Sequence, residues 1–331
     1  MIITTIEDAI TAYLDSVQLA RSENTARTYK NALRIFKTVL KEYWVEPKSA
    51  SCEKLTEDAI TWLATYLKTY AAPTERLYLT AVAGFYEYVA AERLADINLP
   101  RLRLLIRQRA RRPGIRLPQF PVEDLEKVLT YVDAFIGQEF ESDDVKLRAL
   151  RDRAFLLTLA DTGLRVSEAC SLRRGDVDWN EGRAVIIGKG DKQAVVRFSE
   201  RSLRTLRDYL SARSRLDGAF NRPLGSLALF ARHDKGAGKK IKPITTATGR
   251  NIVNQRVSQA LGPEAVGTIT PHSFRHYFVT TILRASGNLK LAQELARHAN
   301  IQVTQRYAHL SDDELDRGYH AIFENKDGLA D

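Results

Sequence analysis

"TPHSFRHYFVTTILRASGNLKLAQELARHANIQVTQRYAHL", residues 270–310, holds four of the six histidines in a chain of 331 residues. His272, His276, His298 and His309 share it with Arg275 and Tyr307. Three explanations compete for this crowding: a metal centre, the interior of a helical core, or a site that grips a phosphate and attacks it with the tyrosine. The stretch itself reads as three helical segments.

The metal explanation starts from His272 and His276, four apart on one helix, as two zinc ligands would be. Between them stand Ser-Phe-Arg, without the Glu of a metalloprotease helix, and the Arg275 cation would repel a bound metal. No cysteine lies near. The core explanation suits Tyr277 and Phe278, aromatics at core-filling positions. It accounts less well for His272 and Arg275, three apart and therefore on one face. A buried Arg beside a His needs an anion, because unpaired buried cations are costly. Either a carboxylate of the chain supplies it, with Glu168 the obvious candidate, or a ligand does.

Composition narrows the class. Hydrophobic residues make up 44% and charged residues 27%, which reads as globular, and 331 residues suffice for two ordinary domains. No run approaches the ~18 apolar residues of a membrane span, so no membrane partner is expected. The opening "MIITTIEDAITAYLDSV" has acids where a signal peptide has its basic region. Cys52 and Cys170 lie far apart without metal-type spacing and read as buried thiols of a reducing compartment. The expected location is the cytoplasm.

The net charge of +9 is unevenly placed. Residues 1–100 carry 11 Lys+Arg against 13 Asp+Glu, while residues 101–116, "RLRLLIRQRARRPGIR", carry seven Arg and no acid. A connector this basic suits a clamp closing around a polyanion, since each neutralised phosphate releases counterions. A solvated charge run is the plainer alternative. Pro100, Pro113, Pro118 and Pro121 argue against one continuous helix there.

Periodicity before the connector is helical throughout. "TIEDAITAYLDSV" begins with Thr5 and Asp8 at capping-box spacing. "NTARTYKNALRIFKTVLKEYW" puts Tyr29, Leu33, Phe36 and Leu40 on one face. "TEDAITWLATYLKTY" and "PTERLYLTAVAGFYEYVAAERL" complete four helices. After the connector, "VEDLEKVLTYVDAFI" and "VKLRALRDRAFLLTLADTG" read as helices, the second stopping at or just before Gly163. "DVDWNEGRAVIIGKGDKQAVVRF" alternates β-branched runs with turn signals and predicts about three antiparallel strands. Helices resume in "SERSLRTLRDYLSARSRL" and "TTATGRNIVNQRVSQALG". The tail, "SDDELDRGYHAIFENKDGLAD", places Leu315, Tyr319, Ile322 and Phe323 on one face of a last helix.

"TGLRVSEACSL", "IIGKGDK", "HSFRH" and "LARHANIQVTQRYAHL", in this order, resemble the boxes of the tyrosine recombinases, the phage integrase family. Arg165 precedes Lys189 by 24 residues and His298 precedes Tyr307 by nine. The resemblance covers the whole chain and implies a mainly α fold with a small antiparallel β-sheet. It implies a helical core-binding (SAM-like) domain over 1–98, an Arg-rich linker over 99–119 and a mixed α+β catalytic domain over 120–310, forming a C-shaped clamp. Residues 311–331 would be a tail helix that docks into a neighbouring protomer.

The resemblance also assigns roles. Tyr307 would attack a DNA phosphodiester and form a 3′-phosphotyrosyl link. Arg165 and Arg275 would hold the non-bridging oxygens, and His272 would donate to that phosphate or assist proton transfer at the tyrosine. His298 would hydrogen-bond the same phosphate. Lys189 would protonate the leaving 5′-oxygen, with Lys192 the fallback, and Glu168 would orient the cationic groups. Arg101, Arg103, Arg107, Arg109, Arg111, Arg112 and Arg116 would contact the DNA backbone, which positions without reading sequence. No metal or cofactor is implied. The expected partner is double-stranded DNA with a specific recombination site, bound by a homotetramer on paired sites and by a monomer or dimer off DNA. An accessory or partner recombinase and a place at the nucleoid would complete the picture. Two alternatives stand beside it: a catalytically idle DNA-binding accessory protein on the same fold, and a type IB topoisomerase with the same chemistry. One position departs from the pattern. Arg297 stands where the family commonly has Gly before the second active-site His, and His309 reads as structural.

Overall fold

The computed structural model describes residues 5–111, 121–187, 193–219, 222–234, 236 and 241–298. The chain divides into two compact units, residues 1–116 and 117–331.

The first unit is helical. Helix α1 (Ile6–Ala20) starts with the capping box its sequence announces: the Asp8 amide donates to Thr5 Oγ1 at 3.2 Å and the Thr5 amide to Asp8 Oδ2 at 3.1 Å. Helices α2 (Glu23–Glu42), α3 (Asp58–Tyr66) and α4 (Ala72–Ala91) follow. Their 3–4 spaced apolar faces bury Ile10, Leu33, Phe36, Ile60, Val82 and Phe85 in one core. Each such side chain contributes about 1.5–3 kcal/mol relative to exposure.

A fifth helix, α5 (Leu99–Arg109), stands where the sequence suggested a connector from residue 99. Pro100 sits in its first turn, where a missing amide costs nothing, and the Asn98 side chain caps it by accepting from the Arg101 amide at 2.9 Å. Leu102 is buried in the core of the first unit. The basic run is then met by acids of the same unit. Arg101 pairs with Glu57 at 3.0 Å and Asp58 at 2.7 Å, and Arg103 with Glu87 at 2.8 Å. Fully buried Glu75 accepts from Lys68 at 2.8 Å, and the Arg111 guanidinium pairs with its other oxygen. Burial alone would raise the Glu75 carboxyl, but hydrogen bonds from Lys68 and Arg111 outweigh it and leave it below its usual range. Part of the connector is therefore a structural piece of the first unit. Arg107 and Arg109 have no ion pair among the described residues, and Arg112 and Arg116 lie outside them.

The second unit is built around α7 (Asp143–Thr162), which follows α6 (Val122–Asp133) and is buried almost all round. A helix so enclosed must pair its charges. Asp152 accepts from Arg256 at 2.6 Å, and Arg153 spans Asp133 and Asp208 at 2.8 Å each. Short helix α8 (Val166–Ser171) leads to an antiparallel sheet of β1 (Val177–Asp178), β2 (Arg183–Ile187) and β3 (Gln193–Arg197), in that order. Val185 faces Val195 and Ile187 faces Gln193. The inner face of β2 packs Ala184 and Ile186 into the core. Helices α9 (Glu200–Ala212), α10 (Ser214–Gly218), α11 (Thr246–Leu261), α12 (Pro271–Ser286) and α13 (Leu289–Ala296) complete the described part. Cys52 and Cys170 are free, buried thiols. No helix among the described residues is long and apolar enough to cross a membrane.

Helix α7 stops at Gly163, whose φ of 59° is left-handed. A Cβ at Gly163 would stand 2.4 Å from the Phe278 ring. Both demands select glycine, and they bring α12 against the end of α7. The tail helix read over 311–331 lies outside the described residues.

Candidate active site

Three chain segments meet at the end of α7. The first is the turn from Gly163 into α8. Arg165 precedes that helix with its guanidinium about half exposed, while Glu168 one turn on is buried. The Glu168 carboxylate reaches back, accepting from the Arg165 amide at 2.9 Å and from its NH1 at 2.6 Å. This holds Arg165 by its amide and one terminal nitrogen while its side chain stays about half exposed.

The second segment is the start of α12. Pro271 occupies its first turn, so His272, Arg275 and His276 fall on successive positions of one face. Arg275 is 3% exposed. Its partners differ from the expected carboxylate: NH1 donates to the Gly163 carbonyl at 2.6 Å and NH2 to the Ala296 carbonyl. These carbonyls end α7 and α13, where helix dipoles concentrate partial negative charge. The guanidinium thus ties two helix C-termini together. Full compensation is not reached: burial, then Arg165 and Arg297, lower the Arg275 pKa to about 9. It stays protonated at neutral pH, in a place that favours an incoming anion.

The third segment is the end of α13. The Arg297 amide donates to Glu294 O at 3.0 Å and the His298 amide to Gln293 O at 3.1 Å. That is a Schellman termination, and its left-handed residue is Arg297 with φ 56° and ψ 45°. The left-handed turn that a glycine would favour is here made by arginine. Arg297 then turns inward. Its NH2 meets Glu168 Oε2 at 3.2 Å and the Gly163 carbonyl at 3.4 Å.

His272, His276 and His298 sit among these cations. The rings of His272 and His276 meet edge to face with centroids 4.2 Å apart. Burial, Arg275 and Arg165 lower the His272 pKa. His298 is pushed down to about 4 by burial and the same two arginines, and His276 to about 4 by burial, His272 and Arg275. Neutral imidazole offers one hydrogen-bond donor and one acceptor without adding charge to the site. No group of three His, Cys, Asp or Glu among the described residues could hold a metal ion.

The shifts set a pH dependence. The folded state holds His276 and His298 below the ordinary 6.5, so between about 4 and 6.5 it binds fewer protons than the unfolded chain. Stability is therefore complete above pH 6.5 and is lost as pH falls through that window. In NMR titrations the ring protons of both histidines should show midpoints near 4. Midpoints near 6.5 would contradict the site as drawn.

The structure thus brings Arg165, Glu168, His272, Arg275 and His298 together from segments over a hundred residues apart. Lys189, Lys192, Tyr307 and His309 lie outside the described residues. Sequence reasoning missed the two carbonyls that hold Arg275 and the ion pair of Arg297 with Glu168. The departure from glycine at 297 was the one visible signal of the latter.

Comparison with known proteins agrees with this organisation. The phage integrase family matches residues 125–314, and the N-terminal SAM-like domain of phage integrases matches residues 10–93. The chain is 30% identical over 301 residues to tyrosine recombinase XerC of Myxococcus xanthus, covering 90% of this chain and 91% of the relative. It is 31% identical over 306 residues to tyrosine recombinase XerC of Thermodesulfovibrio yellowstonii, covering 91% of each. Among solved structures it is similar in fold to XerH site-specific recombinase bound to palindromic difH substrate in a post-cleavage complex. There the TM-score is 0.66 at 19% identity, over 96% of this chain and 85% of that one. A second is Tn1549 transposon integrase in complex with transposon right end DNA, with a TM-score of 0.63 at 17% identity, over 97% and 99%. Neither the accessory-protein alternative nor the topoisomerase alternative is favoured by these likenesses. The chain belongs to the phage integrase family and is a site-specific tyrosine recombinase.

Proposed function

We propose that this recombinase cuts and rejoins double-stranded DNA at a specific site through Tyr307. The hydroxyl oxygen of Tyr307 attacks the scissile phosphorus and the bond to the 5′-oxygen breaks, leaving a 3′-phosphotyrosyl link. The proton lost by the tyrosine passes toward neutral His272, and Lys189 protonates the departing 5′-oxygen. A 5′-hydroxyl from the partner strand then reverses the step, so bond energy is conserved and no ATP is needed. Arg165 and Arg275 grip the non-bridging oxygens through their permanently charged planar forks. His298 hydrogen-bonds the same phosphate, and Glu168 orients the arginines.

The observation that carries this reading is the cationic pocket at the end of α7. Arg165, Arg275 and Arg297 bring three positive charges against the single carboxylate of Glu168, with the neighbouring imidazoles held neutral. A site with that excess is built for an anion. Arg107 and Arg109, whose charges are not spent on carboxylates among the described residues, are the best placed of the connector arginines to meet the DNA backbone, with Arg112 and Arg116 beside them in sequence. DNA is the partner of the similar structures. Pairing of two sites by a homotetramer, strand exchange through a Holliday junction, and action at the nucleoid complete the proposal.

The test is covalent capture. Wild-type protein is incubated, with EDTA present, with a pool of nicked duplexes from which the short cleaved strand diffuses away. Trapped protein–DNA complexes are digested and the nucleotide adduct is located by mass spectrometry. An adduct on Tyr307 supports the reading. An adduct elsewhere, or none from any duplex the protein binds, overturns it.

A further inference from the structure

Three observations single out Arg297. Among the described residues only Trp44, Arg93 and Arg297 are non-glycine residues with positive φ. Trp44 and Arg93 are exposed, whereas the Arg297 side chain is 11% exposed. A residue kept in a strained backbone region, with a charged side chain sent inward, is held there by something other than backbone preference. Next, its Nε and NH1 are buried and make no hydrogen bond among the described residues. Only NH2 is engaged, and it shares the Glu168 carboxylate with Arg165. Last, among the described residues that carboxylate is the one anion meeting both guanidiniums, and Arg275 beside them spends its donors on neutral carbonyls. Buried donors without acceptors are rare in folded proteins and call for a group that satisfies them.

We propose that Arg297 is a third phosphate-binding guanidinium of this site, whose Nε and NH1 donate to the DNA phosphate gripped by Arg165 and Arg275. The inference rests on the phosphate-binding reading above. It explains why arginine occupies a turn that glycine would make at lower cost: the side chain supplies two charge-assisted donors at a fixed place, one residue before His298.

The experiment uses the duplex recovered by covalent capture, prepared with an ordinary phosphodiester or with an uncharged methylphosphonate at the scissile position. On the phosphodiester, Arg297→Gly should slow single-turnover cleavage about a hundredfold. Binding is then measured in the Tyr307→Phe background, where both duplexes stay intact. There Arg297→Gly should weaken the phosphodiester duplex about tenfold and leave the methylphosphonate duplex unchanged. The unliganded Arg297→Gly protein should melt no lower than wild type, because its turn is relaxed and its orphaned donors are gone.

Equal weakening on both duplexes would assign Arg297 a structural role and overturn the proposal, as would undiminished cleavage of the phosphodiester. Arg275→Ala, run in parallel, separates loss of the phosphate grip as a whole from loss of the Arg297 contact. A charge-dependent loss there without one at Arg297 would defeat this inference alone. Failure of the wild type to form a covalent complex would defeat the phosphate-binding reading and this inference with it.

Discussion

Arg275→Ala should slow single-turnover DNA cleavage about a thousandfold, with a much smaller change in melting temperature. The two effects separate because the guanidinium is held at a cost. It joins the Gly163 carbonyl at the end of α7 to the Ala296 carbonyl at the end of α13, and losing that tie strands two acceptors at about 1–3 kcal/mol each. Against this, burial and the two neighbouring arginines bring its pKa down to about 9, so removing the charge also removes repulsion. Stability is thus a near-cancellation. Cleavage has no such offset, because the transition state carries more charge on the phosphate than the ground state does. Arg275→Lys should recover little. An ammonium cannot span both carbonyls and still present a planar face to the phosphate. Cleavage by Arg275→Ala within tenfold of wild type would mean that Arg275 only pins the helices.

Local signals carried most of the fold. Thr5 and Asp8 marked the start of α1, Gly163 marked the end of α7, and turn residues between β-branched runs marked the hairpin of β2 and β3. Each is a rule about neighbours in sequence, and each survives tertiary context. The connector was different. "RLRLLIRQRARRPGIR" shows seven arginines and no acid, but Glu57, Asp58, Glu75 and Glu87, which meet Arg101, Arg103 and Arg111, lie 16 to 44 residues away. The acid excess of residues 1–100 was the other half of that balance, visible as a sum but not as pairs. Prolines were also pooled: Pro100 opens a helix, and only the later ones argue against extending it.

The candidate site was legible to the extent that it is made of side chains. Arg165, Glu168, His272, Arg275 and His298 could be named because each belongs to a motif. The acceptors of Arg275 could not, since a helix-end carbonyl has no residue identity and becomes a partner only through packing. Arg297 stood between these cases. Its identity was visible as a departure, while its left-handed turn and inward direction needed the end of α13 in three dimensions.

Glu168→Gln should then destabilise the second unit by about 3 kcal/mol. The carboxylate holds the Arg165 amide, the Arg165 guanidinium and the Arg297 guanidinium at once. Gln keeps one acceptor but turns an amide donor toward a cation, and it leaves buried Arg297 with no counter-charge. Removing that cation as well should restore much of the loss. The double variant Glu168→Gln/Arg297→Gly should be more stable than Glu168→Gln alone by about 1–2 kcal/mol, a coupling that denaturant unfolding can read. A double variant whose stability equals the sum of the two single effects would show that the 3.2 Å pair carries no net energy. Cleavage gives a second, opposite-signed reading of the same charge. Without Glu168 the pocket gains one positive unit, so the DNA phosphate should bind more tightly while the step itself slows at least tenfold, because Arg165 is no longer fixed at its base. Tighter binding with slower cleavage is the signature of a carboxylate that positions cations at the expense of raw affinity. Weaker binding with slower cleavage would mean instead that the pocket had collapsed.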